Sequence, residues 1–315
     1  MVDVTPRRNR LLPALPVIVV CIYLVAPVLA QIAYAFVDNS GQLTTEGFTA
    51  IFRNPKFLPS LGLTLVTAIA TVAMLIVCLV PAIVAVKLWA PRLRGALEIL
   101  CTLPLVIPAI ALVAGLMSVL RGASRMGRGS PGAAFSQFMQ LDSFPLALVG
   151  TYVILALPFT YRSLNAALSS IPLATMYEAS ASLGSSTWGT LRRVIIPNIS
   201  GSVMFSAFFA FALAFGEYTV AATLSIQTLP VWMTVLSSSN FRASITLSLL
   251  MNLLTWALLA FATVYASRFG ASKRARDDRT DKKRSTPVFD ISQDQQGDEA
   301  SVANTRAEGA ESERI

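Results

Sequence analysis

Hydrophobic positions fall into six runs separated by polar stretches, and that alternation organises the chain up to residue 267. The runs cover residues 11–36, 61–86, 96–120, 145 to about 161, 202–224 and 244–266. Crossing a bilayer core as a helix takes about 20 apolar residues. The pattern therefore predicts an all-α, polytopic transmembrane bundle of six spans, the fourth of them short. Arg7, Arg8 and Arg10 precede the first run, as in a secretory signal. The run itself outlasts the ~7–15-residue apolar stretch of such a signal, so a retained first helix is expected.

Between the runs, residues 37–60 read as a polar external loop with turn signals at Asn39 to Gly41 and prolines at 55 and 59. Residues 121–144 read as a Gly-, Ser- and Arg-rich loop without a period, and a polar segment starts at Arg162, just past Pro158. Residues 226–242 are too short and mixed to cross, although Leu229-Pro230-Val231-Trp232 is apolar enough to dip into the interface or re-enter. In the third run, Pro104 and Pro108 stand four apart, on one face of a helix, each removing a backbone hydrogen bond and bending the span. The freed carbonyls need neighbouring protein or a watery cavity. A kink without further role and a helix lining a pathway that opens and closes are both consistent with that.

The polar segment between the fourth and fifth runs has its own logic. Pro172 suits the first turn of a helix running to Leu183, where its missing N–H costs nothing. Gly184 fits a left-handed C-terminal cap, and Ser185 or Ser186 can cap a second helix that carries Arg192 and Arg193 and stops at Pro197. The result is a helix-turn-helix along one membrane face. It can be an amphipathic connector on headgroups. Its first half, however, holds Ala174, Ala179, Ser180, Ala181 and Ser182, which offer lipid little apolar area and allow close approach of another protein.

Composition agrees with the spans: 54% of the 315 residues are hydrophobic and 13% charged, outside the range of soluble globular chains. The net charge of +8 raises the question of nucleic acid, but the basic residues sit where apolar runs end and form no separate basic domain, which excludes that class. With no histidine, the commonest general base and metal ligand are both missing. Cys21, Cys78 and Cys101 lie in apolar runs without zinc or redox spacing and read as small core hydrophobes. No metal site is expected.

Lys and Arg set the orientation. With the N-terminus inside, the inner segments hold 17 (from Arg7 to Arg284) and the outer loops six: Arg53, Lys56, Arg121, Arg125, Arg128 and Arg242. Both termini are therefore expected in the cytosol, with residues 1–10 a cytosolic segment and 11–267 the membrane domain. The stretch 268–315, basic to Arg284 and then rich in Asp, Glu, Gln and Ser, is expected to be a disordered charged tail. Its basic half suits anionic lipid. No G-x-x-x-x-G-K-[ST] occurs, so no nucleotide-binding site is expected in this chain.

Glu217, in Phe215-Gly216-Glu217-Tyr218, falls inside the fifth run. A charge in hydrocarbon costs at least ~2.5–3.5 kcal/mol on insertion scales, so it should face the bundle interior or water. Glu217 and Tyr218 are candidates for a pathway or gating contact, with a packing carboxylate as the alternative. Asn252 and Thr255 in the sixth run can bond between helices or line the pathway, packing being favoured.

The stretch from Glu178 to Pro197 resembles the EAA loop of integral-membrane permeases of binding-protein-dependent ABC importers: Glu-Ala-Ala, three residues, Gly, nine residues, Ile-x-Leu-Pro. Here the pattern reads Glu178-Ala179-Ser180, Gly184, then Val194, Ile196 and Pro197, with Ser180, Val194 and Ile196 as mild departures. Leu103-Pro104-Leu105-Val106-Ile107-Pro108 and Leu157-Pro158-Phe159-Thr160-Tyr161-Arg162 are similar to the polyamine, iron, aminophosphonate, sulfate and molybdate branch. The resemblance covers about 61–266 and implies the MetI-like permease fold, in a bacterial inner membrane. It implies a cytosolic coupling loop at about 170–200 that sits in a groove of an ATP-binding subunit. Glu178 would contact that subunit, Gly184 make the turn and Pro197 fix the exit. The implied partners are two ATPase subunits using ATP and Mg, a second permease, homologous or identical, and an extracytoplasmic solute-binding protein. The implied solute is a polyamine or 2-aminoethylphosphonate-like molecule, with iron, sulfate or molybdate as the alternative. An ion-coupled secondary transporter leaves the loop unexplained and shows no internal repeat. An intramembrane enzyme lacks a nucleophile-base pair.

Overall fold

The computed structural model describes residues 11–38, 40–127, 129–141 and 144–284. Their helices are α1 (Leu11–Phe36), α2 (Glu46–Arg53), α3 (Phe57–Leu88), α4 (Arg94–Thr102), α5 (Ala109–Ser124), α6 (Pro131–Met139) and α7 (Leu146–Ser169). They continue as α8 (Leu173–Ser182), α9 (Thr187–Thr190), a π-turn (Leu191–Ile195), α10 (Ile196–Asn198), α11 (Ser200–Gly216), α12 (Thr219–Thr223), α13 (Leu229–Ser239) and α14 (Phe241–Arg284). No strand occurs among the described residues beyond an isolated bridge, Val37 to Leu43. Contacts divide the chain into residues 1–266 and 267–315.

The first unit is built on α3, α7 and α11, which pack against one another. Between apolar helices in lipid, the hydrophobic effect provides no pull, and close packing must hold the bundle. The face of α3 supplies it with Ser60, Thr64, Thr67, Ala68 and Thr71, all buried. Thr64, Thr67 and Thr71 return their hydroxyls to the carbonyls of Ser60, Leu63 and Thr67 at 2.8–2.9 Å, so none of these three donors is orphaned. Along the bundle the core has two layers. One holds Ile51, Phe57, Leu148, Tyr152, Phe215 and Trp232; the other holds Leu79, Ile83, Cys101, Leu164, Leu173, Leu191 and Ile195.

Four helices are long and apolar enough to cross a membrane alone, within α1, α3, α7 and α14, and six spans result if each of two bent pairs counts as one. The third run is such a pair, and here the prolines do more than kink a helix. Pro104 lies in a 3-10 turn, Leu103–Leu105, and Pro108 is the extended N-cap of α5, with a bend of 102° between the halves. The two prolines therefore do not share a helix face. Two missing N–H groups within five positions leave too little of the ladder for a continuous helix.

Other boundaries differ from the sequence expectation. The external segment 37–60 contains α2, and Pro59 sits in the first turn of α3. The loop at 121–144 contains α6, capped by Ser130, whose Oγ accepts from Ala133 N at 3.2 Å. The fourth run extends to Ser169 because α7 continues through the buried Pro158 and past Arg162. Leu229, Pro230 and Trp232 dip into protein rather than an interface: α13 is buried against α3, and Thr64 Oγ1 accepts from Leu229 N at 2.7 Å. Of the cysteines only Cys101 is a core residue; Cys21 and Cys78 face outward from apolar helices. The first part of the stretch expected to be a disordered tail, up to Arg284, lies in α14. Residues 285–315, and the segment 1–10, lie outside the described residues.

Candidate functional site

Residues 172–198 form two helical arms around a tight turn. Pro172 is the N-cap of α8, and Gly184, after its end, has φ +78°. Gly184 N donates to Ala181 O at 2.9 Å and Ser185 N to Ser180 O at 3.1 Å, the paired bonds of a Schellman motif that a left-handed residue makes possible. Ser186 Oγ then accepts from Gly189 N at 3.2 Å and starts the second arm. That arm, Thr187–Asn198, meets α11 at 86°, so it lies across the direction of α11. Pro197 sits one residue before its end, and the Asn198 side-chain amide donates to Val194 O at 2.8 Å.

The arms are tied by hydroxyls. Ser180 Oγ and Thr190 Oγ1 are 2.9 Å apart and buried, and Tyr177 OH lies 3.1 Å from Thr187 Oγ1. The inner faces, Leu173, Leu191, Ile195 and Ile199, join the core layer that holds the ends of α3 and α7. Outward stand Glu178 and Ala179, together with Leu183 at 89% exposure and Trp188 at 60%. The structure thus separates the motif residues. Glu178, Ala179 and Gly184 are on the open face, Ser180 is turned inward, Val194 and Ile196 are half-buried, and Pro197 is exposed at the exit. Leu183 and Trp188 are members of the open face that the motif does not include; a large apolar residue on each side of Gly184 was the available signal.

The membrane candidates do not form one site. Asn252 Nδ2 donates to Gln31 Oε1 at 3.2 Å and joins α14 to α1, a helix-packing bond. Thr255 returns its hydroxyl to Met251 O. Glu217 is not inside a helix: α11 ends at Gly216, Glu217 is extended, and its carboxylate caps α12. Both oxygens accept from Val220 N at 3.0 Å, and Oε2 accepts from Ala221 N at 3.4 Å. Carboxylate bonds to the first N–H groups of a helix satisfy charge and donors together. Tyr218 beside it is 45% exposed. The turn containing Pro104 packs on α7, and α5, beyond Pro108, packs on α12, so the two breaks are neighbours through α5, α7 and α12.

Glu217→Ala, which orphans two amides, is expected to destabilise the protein by about 1–3 kcal/mol. Glu217→Gln keeps an acceptor and should lose less. Melting of the detergent-purified variants checks the order, and equal melting of both with the parent would remove the cap from the account.

Residues 78–274 match the model of a family described as binding-protein-dependent transport system inner membrane component. The chain is 27% identical over 230 residues to the probable ABC transporter permease protein y4fN of Sinorhizobium fredii (strain NBRC 101917 / NGR234), covering 70% of this chain and 38% of that protein. It is 28% identical over 166 residues to the molybdenum transport system permease protein ModB of Azotobacter vinelandii, covering 52% of this chain and 70% of ModB. Its fold is similar to a chain of a bacterial ABC transporter involved in import of the acidic polysaccharide alginate, with TM-score 0.62 and 17% identity over 83% of this chain and 96% of that one. A second structure, of a bacterial alginate ABC transporter with its pentasaccharide-bound periplasmic protein, gives a TM-score of 0.58 at 17% identity, with the same coverage.

Proposed function

Because the chain belongs to the family of binding-protein-dependent transport system inner membrane components, we propose that it is the permease subunit of an ATP-driven importer and that residues 172–198 dock on a separate ATPase subunit. In this reading each bent pair is one span, giving six spans with both termini in the cytosol of a bacterial inner membrane. Two ATPase subunits use ATP and Mg, a second permease, identical or homologous, completes the pathway, and an extracytoplasmic binding protein delivers the solute. Catalysis of ATP hydrolysis belongs to the partner, and this chain binds no cofactor. The pathway runs beside the breaks at Pro104 to Pro108 and at Glu217 and Tyr218, where helices end inside the bundle and two apolar spans change direction. Of the solutes the sequence points to, a molybdate-type oxyanion has the added support of the ModB similarity. A polyamine or 2-aminoethylphosphonate-like solute rests on sequence motifs alone.

The observation that carries the docking reading is the open face itself. Glu178 is exposed, and its carboxylate has no hydrogen-bond or ion-pair partner among the described residues. The same loop, its turn closed by internal bonds, also exposes two large apolar side chains, Leu183 and Trp188. A rigid, charged and apolar projection suits a protein groove better than headgroups. Glu178→Arg and Leu183→Asp are each expected to release the co-purifying ATPase, since a wrong charge at an interface costs about 2–5 kcal/mol, roughly 30-fold or more in affinity. ATPase retained at the parental ratio in both variants, with the permease still inserted, would end the docking reading.

A further inference from the structure

We infer that the edge-to-face contact between Trp89 and Tyr177 carries movement of the 172–198 loop into the corner between α3 and α4, and so to the broken third span. The inference rests on the loop being the ATPase-docking element. The loop has two covalent exits: through Ile171 and Pro172 to α7, and through Ile199 to α11. Neither reaches α4. Trp89 closes α3 as its C-cap residue, its N–H donating to Ala85 O at 2.9 Å, and the chain turns there through Pro91–Leu93 into α4. Its ring meets that of Tyr177 on α8 with centroids 5.5 Å apart and planes at 83°. Edge-to-face pairs have a preferred geometry, which favours the two rings moving together.

Tyr177 is well placed to act for the loop as a whole. Its ring touches Trp89 while its hydroxyl lies against Thr187, across the turn, and the neighbouring Ser180 to Thr190 pair locks the same two arms. Displacement of either arm therefore reaches the ring. On the receiving side, the end of α3 is held to the last turn of α7 by Lys87, whose Nζ donates to Asn165 O at 3.2 Å and to Ser169 Oγ. That tie leaves rotation of the corner, more than translation of α3, as the response to a push at Trp89. Rotation there tilts α4, and α4 leads directly into the turn containing Pro104 and the 102° break. Movement thus arrives at the Glu217 break through α11 and at the proline break through the two rings, which add a push at the α3–α4 corner to the side packing of α7 on α4 and on the Pro104 turn. Tyr177 and Trp89 are positioning residues: they act through α4 and touch no solute.

Cys101 gives a native reporter, since it is the buried cysteine of α4, whereas Cys21 and Cys78 are exposed and can be changed to Ser. The permease bearing only Cys101 is purified with its co-purifying ATPase subunits in lipid nanodiscs. Alkylation of Cys101 by N-ethylmaleimide is timed by mass spectrometry without nucleotide and after trapping with ATP, Mg and vanadate. Trapping is expected to change the parental rate by about fivefold or more, the lower end of coupling between linked sites, whereas Trp89→Ala and Tyr177→Ala should cut the change to below about twofold with the ATPase still bound. Tyr177→Phe, which keeps the ring, should respond like the parent. An unresponsive Cys101 in the parental complex overturns the inference, as does a full response in both alanine variants. Loss of response in Tyr177→Phe would assign the role to the hydroxyl, and loss of the ATPase in the alanine variants would make the residues part of the docking face; either result rejects transmission through the rings. Failure of Glu178→Arg and Leu183→Asp to release the ATPase, by contrast, rejects the docking reading itself.

Discussion

Gly184→Val is expected to abolish ATPase-driven uptake and to cut ATPase co-purification by an order of magnitude or more, with the permease inserted at parental level. The backbone at Gly184 has φ +78°, and a Cβ built there meets no atom within 4 Å. Crowding is therefore not the cause; the residue's own backbone conformation is. An ordinary side chain in the left-handed region costs roughly 1–2 kcal/mol, and a branched one is a greater outlier. Relaxing it means giving up the bonds from Gly184 N to Ala181 O and from Ser185 N to Ser180 O, which set the angle between the arms. The arms carrying Leu183 and Trp188, on opposite sides of the turn, then no longer keep their relative angle. Asn tolerates the same region, so Gly184→Asn should keep most binding. Pull-down of the ATPase at matched permease levels separates the cases, and equal recovery from the Val and Asn variants would show that the angle is not needed.

The largest loss of stability is expected from Trp232→Ala. Trp232 is 2% exposed, packs against the Phe57 ring at 6.0 Å and fills the core layer shared by α3, α7 and α11. Truncating a buried tryptophan typically costs about 3–5 kcal/mol through lost contacts and a residual cavity. The melting temperature in detergent should fall on the order of 10 °C. Trp232→Phe should recover about half of that. A surface-lying α13 would make both changes nearly silent, so the pair also tests whether 229–232 enters protein.

What the sequence made legible was local. The left-handed Gly184, the Ser186 cap and the stop near Pro197 follow from rules acting over three or four residues, and each is present. What failed depended on how a broken backbone or a buried hydroxyl finds its partner, which hydropathy and motif spacing do not report. Gly216, Glu217, Tyr218 and Thr219 interrupt the fifth run, but apolar residues on both sides let it read as one span, and nothing in it signals a carboxylate turned onto Val220 and Ala221. Pro158 interrupts nothing although Pro104 and Pro108 do: one missing N–H can be absorbed within a buried helix, and two in close succession cannot. Motif spacing places Ser180 with the docking residues, but its direction is set by Thr190, ten residues on.

That hydroxyl pair also limits how such loops can be exchanged. Ser180 departs from the alanine of the motif it resembles, and Thr190, fully buried, is its counterpart on the other arm. Transplanting only the first arm from a relative with alanine would leave Thr190 buried without its partner, at a cost of about 1–3 kcal/mol. The loop is therefore one module from Pro172 to Asn198, and a chimeric permease has to take or leave it whole.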